Sequence, residues 1–215
     1  MAVFVFLSAV FVVSVDADSL MWIQTYGGTG EDYASALVAT SDGGYAIAGS
    51  TSSFGVGEPN EWGNIPYNMW LVKTDEFGNV EWNRTYGGPE YDEAMSLIKT
   101  SDGGYAIAGE TVSYSTGSND FWLVKTDAYG NMEWNQTYGG QDVDWSMSLI
   151  ETSDGGYAMV GGTYSFGVGS GDFLLIKTDE LGVIPESTSC LLPALLLVAT
   201  FVVIIYTKRN YSTRK

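Results

Sequence analysis

The sequence contains no histidine and only one cysteine among its 215 residues. Without histidine, Ser-His-Asp and Cys-His catalysis and His-ligated metal sites are excluded. A single cysteine excludes an intrachain disulfide and a thiolate metal cage. Basic residues are also scarce, with 9 against 26 acidic ones and a net charge of −17. This balance argues against nucleic-acid binding, which needs a basic surface to contact phosphates.

Glycine and aromatic residues are abundant instead. The chain has 27 glycines, 7 tryptophans, 14 tyrosines and 9 phenylalanines, and 16% of its residues are charged. This composition is typical of a β-rich chain with many tight turns rather than of a helical or disordered one. The sequence therefore predicts an all-β fold.

Both ends of the sequence carry apolar segments. The run at 3–15, followed by Val15-Asp16-Ala17 with small residues at the −3 and −1 positions, predicts a signal peptide at 1–17. A second uncharged stretch predicts a transmembrane helix at 190–207, after a short stalk at 184–189. Four of the nine basic residues lie in the tail at 208–215. This distribution predicts a cytoplasmic C-terminus.

The segment between these ends is the predicted extracellular domain, residues 18–183. Residues 18–186 hold 25 acidic and 5 basic side chains, a net charge of −20. We therefore expect a single-pass cell-membrane protein whose acidic domain lies outside the cell.

An internal repeat organises this domain. Trp22-Ile-Gln-Thr-Tyr-Gly-Gly recurs at Trp82 and Trp134, and Lys73-Thr-Asp recurs at Lys125 and Lys177 with a spacing of 52 residues. These landmarks define three repeats, at about 22–81, 82–133 and 134–183, the first of which contains eight extra residues between Gly57 and Asn68. Identities at a fixed spacing indicate a tandem-repeat architecture.

Each repeat has the pattern of four strands. In the first repeat, alternating or β-branched runs lie at 36–40, 45–51, 69–74 and 80–86, and glycine-containing turns join them as hairpins. Four antiparallel strands per unit of about 50 residues are typical of a β-propeller blade. The segment at 21–26 matches a fourth strand, and we expect it to complete the third blade by shared-strand closure.

Three blades are fewer than the four to eight that propellers normally contain. Two interpretations remain open at this point. A homodimer could assemble six blades, or the three units could form a different threefold fold that resembles a β-trefoil.

The repeat pattern S-D-G-G-Y-A-I-A-G, then W-L-V-K-T-D-x-x-G-N-x-x-W-N-x-T-Y-G-G, resembles the tandem repeats of archaeal and bacterial surface proteins that are regarded as β-propeller-like. The resemblance covers 22–183 and implies that fold and a surface location, with no catalytic residues. Ile184-Pro185-Glu186 resembles the archaeal sorting tails that begin Pro-Glu-Phe, although Ser187 replaces the phenylalanine.

Candidate binding residues collect on one end of the predicted sheets, where the loops vary between repeats. Asp32, Asp92 and Asp144 occupy equivalent positions and are candidate ligands for Ca²⁺, which binds oxygen atoms and needs no histidine. The alternative is that these carboxylates cap loops or remain solvated. No other cofactor is expected. The other candidates on this loop face are Asp120, Asp172, Glu61, Trp62, Tyr67, Tyr91 and Trp145.

The unrepeated aromatic residues indicate contact with a glycan or an envelope protein. Asn83 and Asn135 begin N-glycosylation sequons on predicted outer strands. Together with the anchor, these features favour a non-enzymatic surface module for binding or adhesion. The alternatives are a glycosidase with a carboxylate pair such as Asp92 and Asp144, and a purely structural envelope protein.

Overall fold

The computed structural model of the chain describes residues 21–59, 63 and 65–185. All regular elements in these residues are β-strands, which are β1 (Asp32–Ala39), β2 (Tyr45–Thr51), β3 (Asn68–Thr74), β4 (Val80–Tyr86), β5 (Asp92–Lys99), β6 (Tyr105–Thr111), β7 (Asp120–Thr126), β8 (Met132–Tyr138), β9 (Asp144–Glu151), β10 (Tyr157–Thr163) and β11 (Asp172–Lys177). The prediction of an all-β fold is therefore confirmed.

The strands form three antiparallel sheets in which neighbours in sequence are neighbours in space. Sheet 1 contains β1 to β4, sheet 2 contains β5 to β8, and sheet 3 contains β9 to β11. The sequence repeats begin at Trp82 and Trp134, within β4 and β8, so each fourth strand pairs with the preceding repeat. Sheets 1 and 2 thus each join strands from two sequence repeats, whereas the strands of sheet 3 all belong to the third repeat.

The tight turns at one end of the sheets are built by aspartate and glycine. In the β3–β4 turn, Asp75 Oδ1 accepts hydrogen bonds from the backbone N–H groups of Phe77, at 2.9 Å, and Asn79, at 2.8 Å. Gly78 has φ +80°, a left-handed conformation that glycine adopts without steric cost. Asp127 makes the same bonds between β7 and β8. These aspartates therefore hold the turns.

The core lies between successive sheets because alternate residues of each strand point to opposite faces. Ala48, Met69 and Leu71 of sheet 1 pack against Ile107 and Trp122 of sheet 2. The opposite face of sheet 2 packs on sheet 3 through a second cluster, which includes Ala106, Ala108, Phe121, Leu123, Leu149, Tyr157, Met159 and Ile176. Sheet 2 is therefore covered on both faces.

The fourth strand of a sheet also anchors the next sheet. In β4, the Tyr86 hydroxyl donates to the Gly130 carbonyl oxygen at 2.7 Å, and the Trp82 ring lies 6.1 Å from that of Tyr105. β8 contacts sheet 3 in the same way, through Tyr138 and Gly182 and through Trp134 and Tyr157.

The segment 21–27 makes the equivalent contacts with sheet 1. The Tyr26 hydroxyl donates to the Gly78 carbonyl oxygen at 2.9 Å, and the Trp22 ring lies 5.9 Å from that of Tyr45. This segment therefore packs on sheet 1 as β4 packs on sheet 2.

The predicted closure by a shared strand is wrong for the single chain. The segment 21–27 has no strand assignment, β11 is an edge strand of a three-stranded sheet, and the three sheets do not close. The reason is that the segment stays packed on sheet 1 while β11 belongs to sheet 3, with sheet 2 between them.

The predicted signal peptide, transmembrane helix and tail lie outside the described residues, as does most of the stalk. In the part of the chain that the structure describes, no helix is long and apolar enough to cross a membrane.

Candidate functional site

A polar pocket of about 610 Å³ lies at the loop end of sheet 1, opposite the tight turns. Three connections meet there because the strands of sheet 1 run as a meander: the loop before β1, the β2–β3 loop and the β4–β5 loop. The pocket is lined by Thr29, Gly30, Glu31, Ser52, Ser53, Gly63, Ile65, Tyr67 and Tyr91. Two of the predicted candidates, Tyr67 and Tyr91, therefore come together in one site.

Three tyrosine rings form a continuous aromatic row at this pocket. The Tyr67 ring centroid lies 5.8 Å from that of Tyr33 and 5.9 Å from that of Tyr91, with interplanar angles of 63° and 54°. Such edge-to-face and tilted contacts are the favoured geometries of aromatic pairs. The row provides an apolar surface beside the polar groups of the pocket.

Glu31 supplies a carboxylate at the end of this row. Its backbone N–H donates to Ser52 Oγ at 2.8 Å, and the Ser52 N–H donates to its carbonyl oxygen at 2.9 Å. The Tyr67 hydroxyl donates to Glu31 Oε2. This hydrogen bond raises the pKa of Tyr67 well above its usual value, with burial adding to the effect. The carboxylate is thus held in place beside the aromatic surface.

The equivalent aspartates at the strand starts bind their own loops. Asp92 Oδ2 accepts from Gly88 N–H at 2.8 Å and Ser113 Oγ at 2.7 Å, and Asp92 Oδ1 accepts from Thr111. Asp32 makes the same set of bonds in sheet 1, and Asp144 accepts from Gly140 N–H in sheet 3. These bonds lower the pKa of Asp32 despite the opposing effect of burial.

The three predicted calcium ligands therefore each brace a separate loop. Among the residues that the structure describes, no three histidine, cysteine or acidic side chains come together as a group that could hold a metal ion.

Asn68 begins β3 and links sheet 1 to sheet 2. Its Nδ2 donates to the Gly88 carbonyl oxygen at 2.9 Å and to Asp92 Oδ2 at 3.4 Å, and its Oδ1 accepts from Val56 N–H at 2.8 Å. Both ends of the amide are thus paired.

Asp120 replaces this asparagine in sheet 2 and is only 1% exposed. Its Oδ2 accepts from Thr116 N–H at 2.8 Å, but its Oδ1 has no hydrogen-bond partner within the described residues. A β-carbon added to Gly139 would lie 2.0 Å from Asp120 Oδ1 and 2.9 Å from Asp144 Oδ2. Two buried carboxylates therefore face the same small space. Among the described residues, their counterpart in sheet 3, Asp172, accepts a hydrogen bond from Val168 N–H at 2.8 Å.

Trp145 lies apart from the tyrosine pocket. It contacts Tyr164, with ring centroids 5.6 Å apart, and lines an apolar groove of about 660 Å³ with Met147, Val160 and Phe173. The remaining predicted candidates, Glu61 and Trp62, lie outside the described residues.

A glutamate pair that the sequence interpretation missed lies across β5 and β6. Glu93 and Glu110 are direct partners in the register of these strands. Burial raises the pKa of both carboxyl groups, and the charge of Glu110 adds to the effect at Glu93. A comparison of the repeats could have identified this pair, because Tyr33 and Ser50 occupy the corresponding positions in sheet 1. The same comparison identifies Tyr33 as an unrepeated aromatic residue.

The sequon asparagines Asn83 and Asn135 are exposed on the edge strands β4 and β8. Their side-chain oxygens accept hydrogen bonds from the indole N–H groups of Trp70, at 3.2 Å, and Trp122, at 3.0 Å. The side-chain nitrogen of Asn135, where a glycan would be attached, donates to Met132 Sδ at 3.4 Å.

No protein-family model matches the chain, and no curated protein matches it significantly. The described residues form an all-β repeat domain with a polar, tyrosine-lined pocket at its loop end. The function of the pocket has to be inferred from its chemistry.

Proposed function

We propose that the protein is a membrane-anchored surface module that binds a glycan without catalysis, through the pocket of Tyr67, Tyr91 and Glu31 and the adjoining ring of Tyr33. The row of three tyrosine rings beside a fixed carboxylate carries this proposal. A sugar presents apolar C–H faces that pack on aromatic rings, and hydroxyl groups that donate to carboxylates. The serine hydroxyls and loop backbone offer further polar partners.

The charge of the domain restricts the kind of glycan. Because residues 18–186 carry a net charge of −20, the domain repels acidic polysaccharides at moderate ionic strength. A neutral or amino-sugar polymer is therefore the better match. The predicted signal peptide and anchor support a location of the pocket at the cell surface, where such polymers occur.

The fold we propose for the module is a β-propeller-like arrangement. Meander sheets that pack face to face in succession support this choice over a β-trefoil.

The test is binding of the full chain, in detergent, to immobilised neutral, amino-sugar and acidic oligosaccharides. Tyr67→Ala and Tyr91→Ala should each weaken binding of the best oligosaccharide about tenfold or more, which corresponds to about 1.4 kcal/mol. Tyr129→Ala is the matched control, because Tyr129 is 68% exposed in a turn at the opposite end of the sheets. Equal binding by all three variants, or binding to none of the oligosaccharides, would contradict the proposal.

A glycosidase is the second candidate function, and the glutamate pair favours it. Asp92 and Asp144 are fully buried, so they are poorly placed to reach a substrate. Glu93 and Glu110 are directly opposite across two strands, and a raised pKa suits a general acid. Turnover of chromogenic glycosides that is lost in Glu110→Gln would support this function. A purely structural envelope role predicts neither turnover nor glycan binding.

A further inference from the structure

The rear face of sheet 3, formed by Met147, Ile150, Val160, Phe173 and Leu175, is exposed although its counterparts are buried. Phe173 and Leu175 are 96% and 71% exposed. The residues at the same strand positions in sheet 2, Phe121 and Leu123, are 0% exposed because sheet 3 covers them. The rear face therefore has the composition of a sheet-to-sheet contact without the next sheet.

Within the described residues, the front of sheet 1, the face on which the segment 21–27 packs, lacks the covering side chains that the rear face of sheet 3 has in excess. A cavity of about 260 Å³ lies between the segment 21–27 and sheet 1, and its walls include Tyr26, Ala34, Ile47, Trp70 and Val72. Each wall residue has a counterpart in the first core cluster, where β4 and sheet 2 surround Met69 and Leu71 of sheet 1.

At the front of sheet 1, no residue in the described part of the chain packs as Met69 and Leu71 pack on sheet 2. The residues that correspond to these two in sheet 3 are Phe173 and Leu175. The exposed side chains of Phe173 and Leu175 on sheet 3 are therefore of the kind that would fill the cavity in front of sheet 1.

The segment 21–27 resembles a fourth strand that has no neighbouring strand to pair with in the part of the chain that the structure describes. β4 pairs with β3 while it packs on sheet 2. The segment packs on sheet 1 through the same Trp and Tyr contacts, yet within the described ranges it pairs with no strand. As β4 pairs with β3, the segment would pair with the third strand of a preceding sheet. In sheet 3 that strand is β11, which lies at the edge of the sheet.

Side-chain chemistry supports the pairing of these two edges. In sheets 1 and 2, the indole N–H of Trp70 or Trp122 donates to Asn83 or Asn135 on the fourth strand. In sheet 3, Leu174 replaces the tryptophan, and the residue of segment 21–27 that corresponds to the asparagine is Ile23. The polar pair is thus replaced by an apolar pair. Ile23 is 94% exposed in the single chain, where it has no such neighbour.

We propose that the rear face of sheet 3 binds the front of sheet 1 in a second copy of the chain, and that the segment 21–27 of each copy adds as the fourth strand to β11 of the other. The two copies form a closed pair of six sheets, within the normal range for propellers. The contact repeats the one already present between sheets 1 and 2 and between sheets 2 and 3. This assembly does not depend on the glycan-binding function.

The register of the intermolecular pairing follows from the sheets that are complete. Leu71 is opposite Arg84, and Leu123 is opposite Gln136. The corresponding residues are Leu175 of one copy and Gln24 of the other. Opposite residues of antiparallel strands have Cα atoms about 4.5–5.5 Å apart, which permits a disulfide.

The first experiment measures the mass of the full chain released from detergent, by native mass spectrometry. The expected mass is twice that of one chain. Phe173→Glu should weaken the pair about 100-fold or more and give single chains, because it places a carboxylate in both contacts of the closed pair. Val168→Glu is the matched control, because Val168 is 91% exposed in a loop, and should remain paired. A single-chain mass for the unmodified protein, or a ladder of higher multiples, would refute the closed pair.

A second experiment does not depend on the behaviour of that variant. In a Cys190→Ser background, a chain with Gln24→Cys is co-expressed with a differently tagged chain that carries Leu175→Cys. Mild oxidation should link the two tags covalently, whereas Gln24→Cys with Val168→Cys should give no link. If a chain with both Gln24→Cys and Leu175→Cys closes only its own disulfide, the three sheets close within one copy and the proposal is wrong.

Discussion

Asp120→Asn should stabilise the protein, although it removes a charge from a buried hydrogen-bonded loop. Asp120 Oδ1 is buried, has no hydrogen-bond partner among the residues that the structure describes, and faces Asp144. At the equivalent position, the amide of Asn68 donates to Asp92 and Gly88. Asparagine at position 120 would supply the missing donor and keep an oxygen for Thr116 N–H. It would also remove one of two carboxylates that face each other.

The size of the effect follows from the cost of an unpaired buried polar group. Leaving such a group unsatisfied costs about 1–3 kcal/mol. We therefore expect Asp120→Asn to raise the free energy of unfolding by about 1–3 kcal/mol. For a domain of this size, each kcal/mol changes Tm by about 2–4 °C. The reverse change in sheet 1, Asn68→Asp, should lower the free energy of unfolding by a similar amount.

The assay is urea and thermal unfolding of the full chain, followed by circular dichroism in EDTA and again in millimolar Ca²⁺. Asp172→Asn is the control, because Asp172 occupies the same position in sheet 3 without a buried carboxylate partner, and it should change stability by less than about 0.5 kcal/mol. Destabilisation by Asp120→Asn in EDTA would refute the reasoning. A loss of stability seen only in Ca²⁺ would instead show that Asp120 and Asp144 bind the cation.

Two further predictions concern buried charges. Lys125 is 4% exposed and its Nζ donates to Asp102, Glu133 and a backbone carbonyl, so Lys125→Met should destabilise by about 1–3 kcal/mol in urea unfolding. Lys177→Met, which removes a half-exposed ion pair, should cost less than about 1 kcal/mol, and equal losses would contradict this account. Burial raises the pKa of Glu110 in the folded state, so its protonated form favours folding, and this contribution is lost as pH rises through the folded pKa. Glu110→Gln should therefore be more stable than the unmodified protein at pH 7, with an advantage that disappears near pH 4; an advantage that persists there would exclude titration as its cause.

The repeat made the strands predictable from sequence. The runs at 45–51 and 80–86 coincide with β2 and β4, because alternating residues and glycine turns determine strands locally. The predicted closure by residues 21–26 failed for a different reason. Pairing of that segment with β11 depends on how three sheets stack, and strand periodicity contains no information on the rotation between sheets.

The candidate site was predicted only in part. Tyr67 and Tyr91 were identified because they do not repeat, and they do meet in one pocket. Tyr33 lies before the predicted run at 36–40 and was missed, although Glu93 and Trp145 at the same repeat position show that it does not repeat. The sequence left two alternatives for Asp32, Asp92 and Asp144, which were capping of loops and binding of Ca²⁺. A repeated carboxylate is compatible with both until its hydrogen-bond donors are known.

Several positions where the repeats differ lie at the loop end of the sheets. Tyr33, Glu93 and Trp145 share one strand position, and Asn68, Asp120 and Asp172 share another. In the proposed pair, the six sheets are arranged around a common axis with their loop ends on the same side. Both tyrosine pockets therefore open on that side. Two weak sites on one rigid body can bind a repetitive polymer more tightly than either site alone, because the second contact is intramolecular. A pocket with modest affinity for a single sugar is therefore consistent with firm attachment to a surface polysaccharide.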